Sequence, residues 1–139
     1  MKRVGRLGLI AAAAAILLAL LGTPAAAMCP PGLKPVRTAE MVFGRDIGAK
    51  LGVSGADWQD FVDREVATRF PTGFTVLDAT GQWRDDAGQA VREPSKVLLV
   101  VLSGAPHETE RLAGLARAYK RQFRQESVLL VEHEACGTF

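Results

Sequence analysis

The sequence contains little of the side-chain chemistry on which most enzyme active sites depend. Its 139 residues include two histidines, His107 and His133, and two cysteines, Cys29 and Cys136. It has no G-x-S-x-G element, no C-x-x-C pair and no glycine-rich phosphate loop. These absences argue against a serine or cysteine nucleophile with a histidine base, against a redox dithiol and against nucleotide binding through a P-loop.

Metal-binding patterns are also missing. The triplet Glu132-His133-Glu134 comes nearest, but in a strand His133 points away from the face that its two neighbours share. Asp78, Asp85 and Asp86 lack the alternating spacing of an EF-hand loop. His107 stands among polar residues at the start of a predicted helix, which indicates a surface position. We therefore expect no metal and no cofactor.

The first 27 residues have the pattern of a signal peptide. A basic start with Lys2, Arg3 and Arg6 precedes an apolar run over residues 7–21, and small residues lead up to Ala27. The run is shorter than the roughly 20 residues that span a bilayer. The pattern predicts an exported protein of the periplasm or the extracellular space, cleaved after Ala27. A lipoprotein anchored at Cys29 is the alternative, although Met28 rather than a small residue precedes that cysteine.

Removal of the leader changes the charge balance. The whole chain has 17 basic and 15 acidic residues, and its net charge is +2. Three of the basic residues lie in the leader, so 14 remain against 15 and the mature charge is −1. This balance gives no support to nucleic-acid binding, which needs a basic surface.

The two cysteines stand near the two ends of the mature chain. An even number of cysteines in an exported protein indicates a disulfide, and we predict a bridge from Cys29 to Cys136. A redox or metal-binding pair would need a C-x-x-C motif or histidines at ligand spacing, which the sequence lacks.

The apolar periodicity predicts one α+β domain over residues 38–139, after an extended proline-rich lead-in over residues 28–37. Strands are predicted at 38–47, 74–84, 91–102 and 127–133. One helix follows the capping signal at Ser54, and a second begins near Pro106. The first helix should bury a stripe formed by Trp58, Phe61, Val62 and Val66. The order βαββαβ predicts a ferredoxin-like plait, a four-stranded antiparallel sheet with two helices on one face.

The stretch GQWRDDAGQAVREPSK, residues 81–96, is interpreted as a charged hairpin that projects past the sheet. A three-residue loop with Gly88 at positive φ places Asp85 opposite Gln89 and Trp83 opposite Val91. The same register pairs Asp78 with Lys96 and Leu77 with Val97, so opposite charges and apolar groups face each other.

Several segments together resemble the bacterial family known as domain of unknown function 3574. They are the FGR of residues 43–45 and the stretches DWQDFVDREVATRFP, GFTVLDATGQWRD, REPSKVLLVV and YKRQFRQESVLLV. The resemblance covers about residues 38–136. It implies an exported or lipoprotein-like bacterial protein, and it implies no activity or catalytic residues.

The predicted topology places one polar cluster near an end of the sheet, which we treat as a candidate ligand site. Its members are Arg45, Trp83, Arg92, Glu93 and Lys96. The cationic groups would suit a small anionic ligand such as a carboxylate, and an internal ion-pair network would use the same residues.

The functional prediction is an exported binding or assembly module of the cell envelope, forming a homodimer through the open face of its sheet. The alternative is a small cofactor-free enzyme on a dimeric plait, with a polar pocket around Arg45, Trp83, Glu93 and Lys96.

The leader generates the first testable prediction. Mass spectrometry of the exported protein should find an N-terminus at Met28, because the small residues before Ala27 suit signal peptidase. A diacylglyceryl group on Cys29 would instead establish the lipoprotein form and would rule out the disulfide.

Overall fold

The four predicted strands form one antiparallel sheet in the computed structural model, which describes residues 29–48, 50–84 and 87–138. They are β1 (Lys34–Gly44), β4 (Thr75–Arg84), β5 (Ala90–Leu102) and β6 (Leu129–Gly137), in the spatial order β4-β5-β1-β6. A short hairpin, β2 (Asp46–Ile47) with β3 (Lys50–Leu51), follows β1. With two helices, this is the mixed α/β architecture with a four-stranded antiparallel sheet that the sequence predicted.

The first helix, α1, has three consecutive parts: α-helical Gly55–Phe61, a π-helical turn at Val62–Val66 and α-helical Ala67–Arg69. Ser54 and Asp57 form the predicted capping box, in which each side chain accepts a hydrogen bond from the other residue's backbone N–H. The predicted apolar stripe is buried along its whole length. Within the described residues, no helix combines the length and apolar character needed to span a bilayer.

The second helix, α2 (Glu108–Phe123), begins with a buried carboxylate. Glu108 accepts hydrogen bonds from the backbone N–H groups of Ser103 and Gly104 and from the Ser103 hydroxyl. Burial by itself would raise the pKa of Glu108, but these hydrogen bonds outweigh it and hold the pKa below its usual value. His107 before the helix is exposed, as expected.

The core lies on the helix-covered face of the sheet. Alternate residues are buried there along the second half of β1 (Ala39, Met41, Phe43) and of β5 (Leu98, Val100, Leu102). Five aromatic side chains meet there with ring centroids 4.8–6.1 Å apart, mostly edge to face. The five are Phe43, Trp58, Phe61, Tyr119 and Phe123. The buried Tyr119 hydroxyl donates a hydrogen bond of 2.7 Å to the carbonyl oxygen of Gly44, so α2 is tied to the end of β1.

The β4–β5 hairpin has the predicted register. Trp83 pairs with Val91, Asp78 with Lys96, and Leu77 with Val97. Gly88 has a φ of +76°, the positive value that the predicted turn requires. Asp85 and its predicted pairing with Gln89 lie outside the described residues, as does the leader.

Strands β1 and β6 differ most from their predicted bounds. β1 begins at Lys34, inside the predicted lead-in, and ends at Gly44 rather than Ile47. β6 continues to Gly137, so it offers backbone partners to residues 34–37, and Pro35 lies opposite Cys136. A proline-rich segment can join a strand in this way because the extended conformation is compatible with proline.

The predicted disulfide is present. Cys29 and Cys136 are joined with their α-carbons 5.6 Å apart, across a sequence separation of 107 residues. The bridge fastens the segment before β1 to the last residues of β6.

Reduction of this bridge should lower the free energy of unfolding without unfolding the domain. Loss of the long loop constraint costs up to about 4–5 kcal/mol on the loop-entropy estimate, whereas the aromatic core does not depend on the bridge. Urea unfolding of the oxidised and reduced protein measures the difference, and a Cys29→Ser/Cys136→Ser variant should match the reduced form. Equal unfolding midpoints would contradict the prediction.

Candidate functional site

The sheet face opposite the helices is only partly covered by the rest of the chain; we call it the open face. Side chains alternate along a strand, so the register of the four strands identifies its members. They are Lys34, Val36, Thr38, Glu40, Val42 and Gly44 on β1; Thr75, Leu77, Ala79, Gly81 and Trp83 on β4; Val91, Glu93, Ser95, Val97, Leu99 and Val101 on β5; and Leu129, Val131, His133 and Ala135 on β6.

A row of aliphatic side chains crosses the middle of the open face. Leu77, Val97, Val42 and Leu129 lie side by side on β4, β5, β1 and β6. Leu77 and Leu129 are exposed, as is Val131 near them. A continuous apolar band on a sheet face is typical of an interaction surface.

A shallow concavity of about 730 Å³ lies beside this row. The loop with Phe74 forms one wall, Leu99 and Val101 line the floor, and His133 stands on the other side. The His133 ring nitrogen Nε2 is 2.9 Å from the Thr38 hydroxyl. The lining is mainly apolar, so the concavity is suited to an apolar group with one or two polar contacts.

The structure divides the predicted ligand site between the two sheet faces. Trp83 and Glu93 belong to the open face, whereas Arg92 and Lys96 point to the other face. On that face the Arg92 guanidinium donates to the Gln82 side chain at 2.6 Å and the Lys96 ammonium binds Asp78 at 2.5 Å.

Arg45, the fifth member of that set, is also engaged. Its Nε donates to the carbonyl oxygen of Val53, and its backbone N–H donates to that of Pro94. The concavity beside the aliphatic row includes none of the five predicted residues. Because side chains alternate along a strand, the sequence could have shown that residue 93 of β5 faces away from residues 92 and 96.

Glu93 occupies an unusual position at the end of β1. A Cβ atom added to Gly44 would lie 2.2 Å from the Glu93 Oε1, so the carboxylate fills the space that any other residue's side chain would need. The carboxylate accepts a hydrogen bond from the backbone N–H of Asp46. Burial raises the pKa of Glu93, an effect that the amide hydrogen bond only partly offsets.

Two small residues, Gly81 and Ser95, lie next to Glu93. Ser95 is 2% exposed, and its hydroxyl oxygen would be 3.2 Å from a Cβ atom at Gly81. The same Cβ would lie 3.8 Å from the Trp83 ring and 3.9 Å from the Glu93 Cγ. Trp83 and Glu93 therefore flank one glycine on the open face. Among the described residues, no group of three or more His, Cys, Asp and Glu side chains is arranged to hold a metal.

A family model described as a protein of unknown function, DUF3574, matches residues 38–139. Among proteins with curated descriptions, none is significantly similar to this chain in sequence.

Solved structures with a similar fold include a phage SAM lyase in complex with S-methyl-5'-thioadenosine. It is 20% identical, with a TM-score of 0.58 over 75% of this chain and 90% of that chain. A phage SAM lyase in its apo state is 24% identical, with a TM-score of 0.58 over 77% and 86%. The B. subtilis GlnK–ATP complex is 15% identical, with a TM-score of 0.49 over 73% and 82%. At these sequence identities, the similarity between this chain and the two lyase structures shows the fold alone.

The close approach of Glu93 to Gly44 generates a stability prediction. Gly44→Ala should lower the free energy of unfolding by at most about 1 kcal/mol, because the new methyl group displaces the end of a flexible side chain and costs little beyond its hydrogen bond with Asp46. Gly55→Ala is the matched control, since a Cβ at Gly55 meets nothing within 4 Å. Urea unfolding compares the variants.

A second substitution tests the cause. Glu93→Ala in the Gly44→Ala background should restore part of the lost stability, because it removes the group that the methyl displaces. If Gly44→Ala and Gly55→Ala had the same effect, the close approach would not constrain the fold.

Proposed function

This chain belongs to the DUF3574 family of proteins of unknown function, and we propose that it is a small exported module that assembles with a second copy of itself through the open face. The observation that carries the proposal is the aliphatic row formed by Leu77, Val97, Val42 and Leu129. Burial of such a row against an equivalent row removes apolar surface from water on both copies.

We also propose that the fold is a ferredoxin-like plait. The strand order β4-β5-β1-β6, with β2 and β3 outside the main sheet, supports this assignment. In such a plait the helices cover one sheet face, and the other requires a partner if it is apolar. The proposal of a homodimer follows from that geometry.

The size of the open face fits a dimer. Without Gly81, Trp83, Val91 and Glu93, which lie past the end of β1, the open face has 17 residues. With strands about 4.8 Å apart and alternate residues about 6.8 Å apart, these residues give a projected area of roughly 550 Å². The accessible surface of a corrugated face exceeds its projection, so the area approaches the roughly 800 Å² that each partner buries in a standard interface.

The charge distribution on the open face is compatible with contact between two copies. Apart from Glu93 beyond the end of β1, its charged side chains are one acidic, Glu40, and one basic, Lys34. The central row is uncharged. Contact between two such rows therefore brings no like charges together along the row.

Export is part of the proposal. The disulfide between Cys29 and Cys136 supports it, because such bridges persist in oxidising compartments. The bridge also occupies the thiol that a lipid anchor at Cys29 would use. The leader at residues 1–27 and the single domain after it complete this proposal.

The enzyme alternative receives less support from the geometry. Its pocket would need Arg45, Trp83, Glu93 and Lys96 together, but Lys96 lies on the opposite face of the sheet from Trp83 and Glu93. The cationic groups that would bind an anion are engaged with Asp78 and with the Val53 carbonyl. The likeness to the phage lyase concerns the fold and does not extend its activity to this chain.

The dimer proposal predicts a specific effect of one substitution. The wild-type mature protein should sediment as a dimer at tens of micromolar, and Leu129→Lys should shift it to monomer, because each interface would bury two ammonium groups. Leu51→Lys is the matched control, since Leu51 and Leu129 are both leucines with 57% exposure and Leu51 lies outside the main sheet.

Analytical ultracentrifugation measures both variants. A wild-type protein that remains monomeric at these concentrations would overturn the proposal, and so would equal effects of the two substitutions.

A further inference from the structure

The β4–β5 hairpin continues past the end of β1 and forms a two-stranded extension. β1 pairs with β5 as far as Gly44 opposite Ser95, whereas β4 and β5 stay paired over residues 80–84 and 90–94. Trp83 and Glu93 project from the open face of this extension. They lie beyond the region in which all four strands contribute to the open face, so a site on the extension is independent of the proposed dimer.

Trp83 and Glu93 are near neighbours on this surface, and we call the strip of backbone beside their side chains the ledge. A Cβ at Gly81 would lie 3.8 Å from the Trp83 ring and 3.9 Å from the Glu93 Cγ, whereas the Glu93 carboxylate lies on the other side of β5, over Gly44. The Trp83 side chain is 45% exposed, which is unusual for so large an apolar group. The ledge thus carries an aromatic ring over Gly81 on β4 and a carboxylate over Gly44 on β1.

The Glu93 charge is not balanced by a cation in the described part of the chain. None of the ion pairs among the described residues includes Glu93, and its one identified donor is the neutral backbone N–H of Asp46. The neighbouring cations, Arg92 and Lys96, are held on the opposite face by Gln82 and Asp78. A partly buried carboxylate without a cationic partner is electrostatically unfavourable, and a bound cation would relieve the cost.

We propose that Trp83 and Glu93 form a binding site for a small organic ammonium ion. The ring quadrupole attracts a cation placed over its face, and the carboxylate supplies the opposite charge. A carboxylate accepts several hydrogen bonds, so the bond from Asp46 leaves capacity for a ligand. Gly44 and Gly81 have no side chains of their own, which leaves room for the Glu93 carboxylate and the Trp83 ring to lie against the backbone.

The chemistry favours an alkylammonium over other ligands. An anion would meet the Glu93 carboxylate without a cationic group on the same face of the extension. A neutral apolar molecule would use the ring but would leave the carboxylate unpaired. A metal ion would need further ligands, and no group of metal-ligating side chains is present among the described residues.

The experiment uses the oxidised mature protein and choline as the probe. Titration is followed by the fluorescence and by the indole N–H resonance of Trp83, and the choline analogue in which tert-butyl replaces trimethylammonium is the uncharged control. We expect saturable binding of choline in the millimolar range and at least tenfold weaker binding of the analogue. Equal affinities would overturn the proposal, because they would show that the positive charge of the ligand does not contribute to binding.

Variants of Trp83 and Glu93 test whether each side chain contributes to choline binding. Trp83→Leu should weaken choline binding about tenfold, and Trp83→Phe should weaken it less because a ring remains. Glu93→Gln should abolish binding, whereas Glu40→Gln, a carboxylate on the same face but remote from the ledge, should have no effect. Circular dichroism verifies that each variant is folded. Choline binding that survives Glu93→Gln would overturn the assignment.

A final measurement reports on Glu93 directly. Saturating choline should lower the pKa of its carboxyl group, followed by carbon-detected nuclear magnetic resonance, because a nearby cation favours the ionised form. A pKa unchanged by saturating choline, or an absence of binding up to tens of millimolar, would leave Glu93 with only its structural contact to Asp46 and would refute the proposal.

Discussion

The end of β1 is held from both faces of the sheet at one residue, Gly44, and the arrangement of the rest depends on this point. From the helix side, the buried Tyr119 hydroxyl donates to the Gly44 carbonyl oxygen. From the open side, the Glu93 carboxylate occupies the space above the Gly44 α-carbon and binds the next amide but one, at Asp46. A hydroxyl buried at Tyr119 is costly without a partner, so this bond fixes where α2 lies along β1.

The same point separates two surfaces with different physical character. Before Gly44 the open face spans four strands and presents the aliphatic row around Val42 and Val97. After it, β1 has ended and only the β4–β5 extension remains, with Trp83 and Glu93 on its open side. The first surface offers apolar area, which favours association with another face of the same kind. The second offers an aromatic ring beside a negative charge, which favours a cation.

Much of the fold could be predicted because its signals are local. The capping pair at Ser54 and Asp57 and the apolar stripe of α1 are properties of neighbouring turns. The hairpin register follows from a turn glycine and from the pairing of Asp78 with Lys96 across the strands. The start of β1 at Lys34 could not be predicted in the same way, because it depends on how far the distant strand β6 continues.

The sequence by itself determined the four main strands, the two helices, the β4–β5 hairpin register and the bridge between Cys29 and Cys136. Periodicity and turn chemistry act over short spans, and the cysteine number needs no geometry. Only the tertiary structure decided which members of the predicted polar cluster share a surface. It placed Glu93 against Gly44, two residues on different strands, and left Glu40 exposed on the same face. The reason is that desolvation of a charge depends on which groups surround it in space. Those groups are distant along the chain, and the order of residues does not show which of them come together.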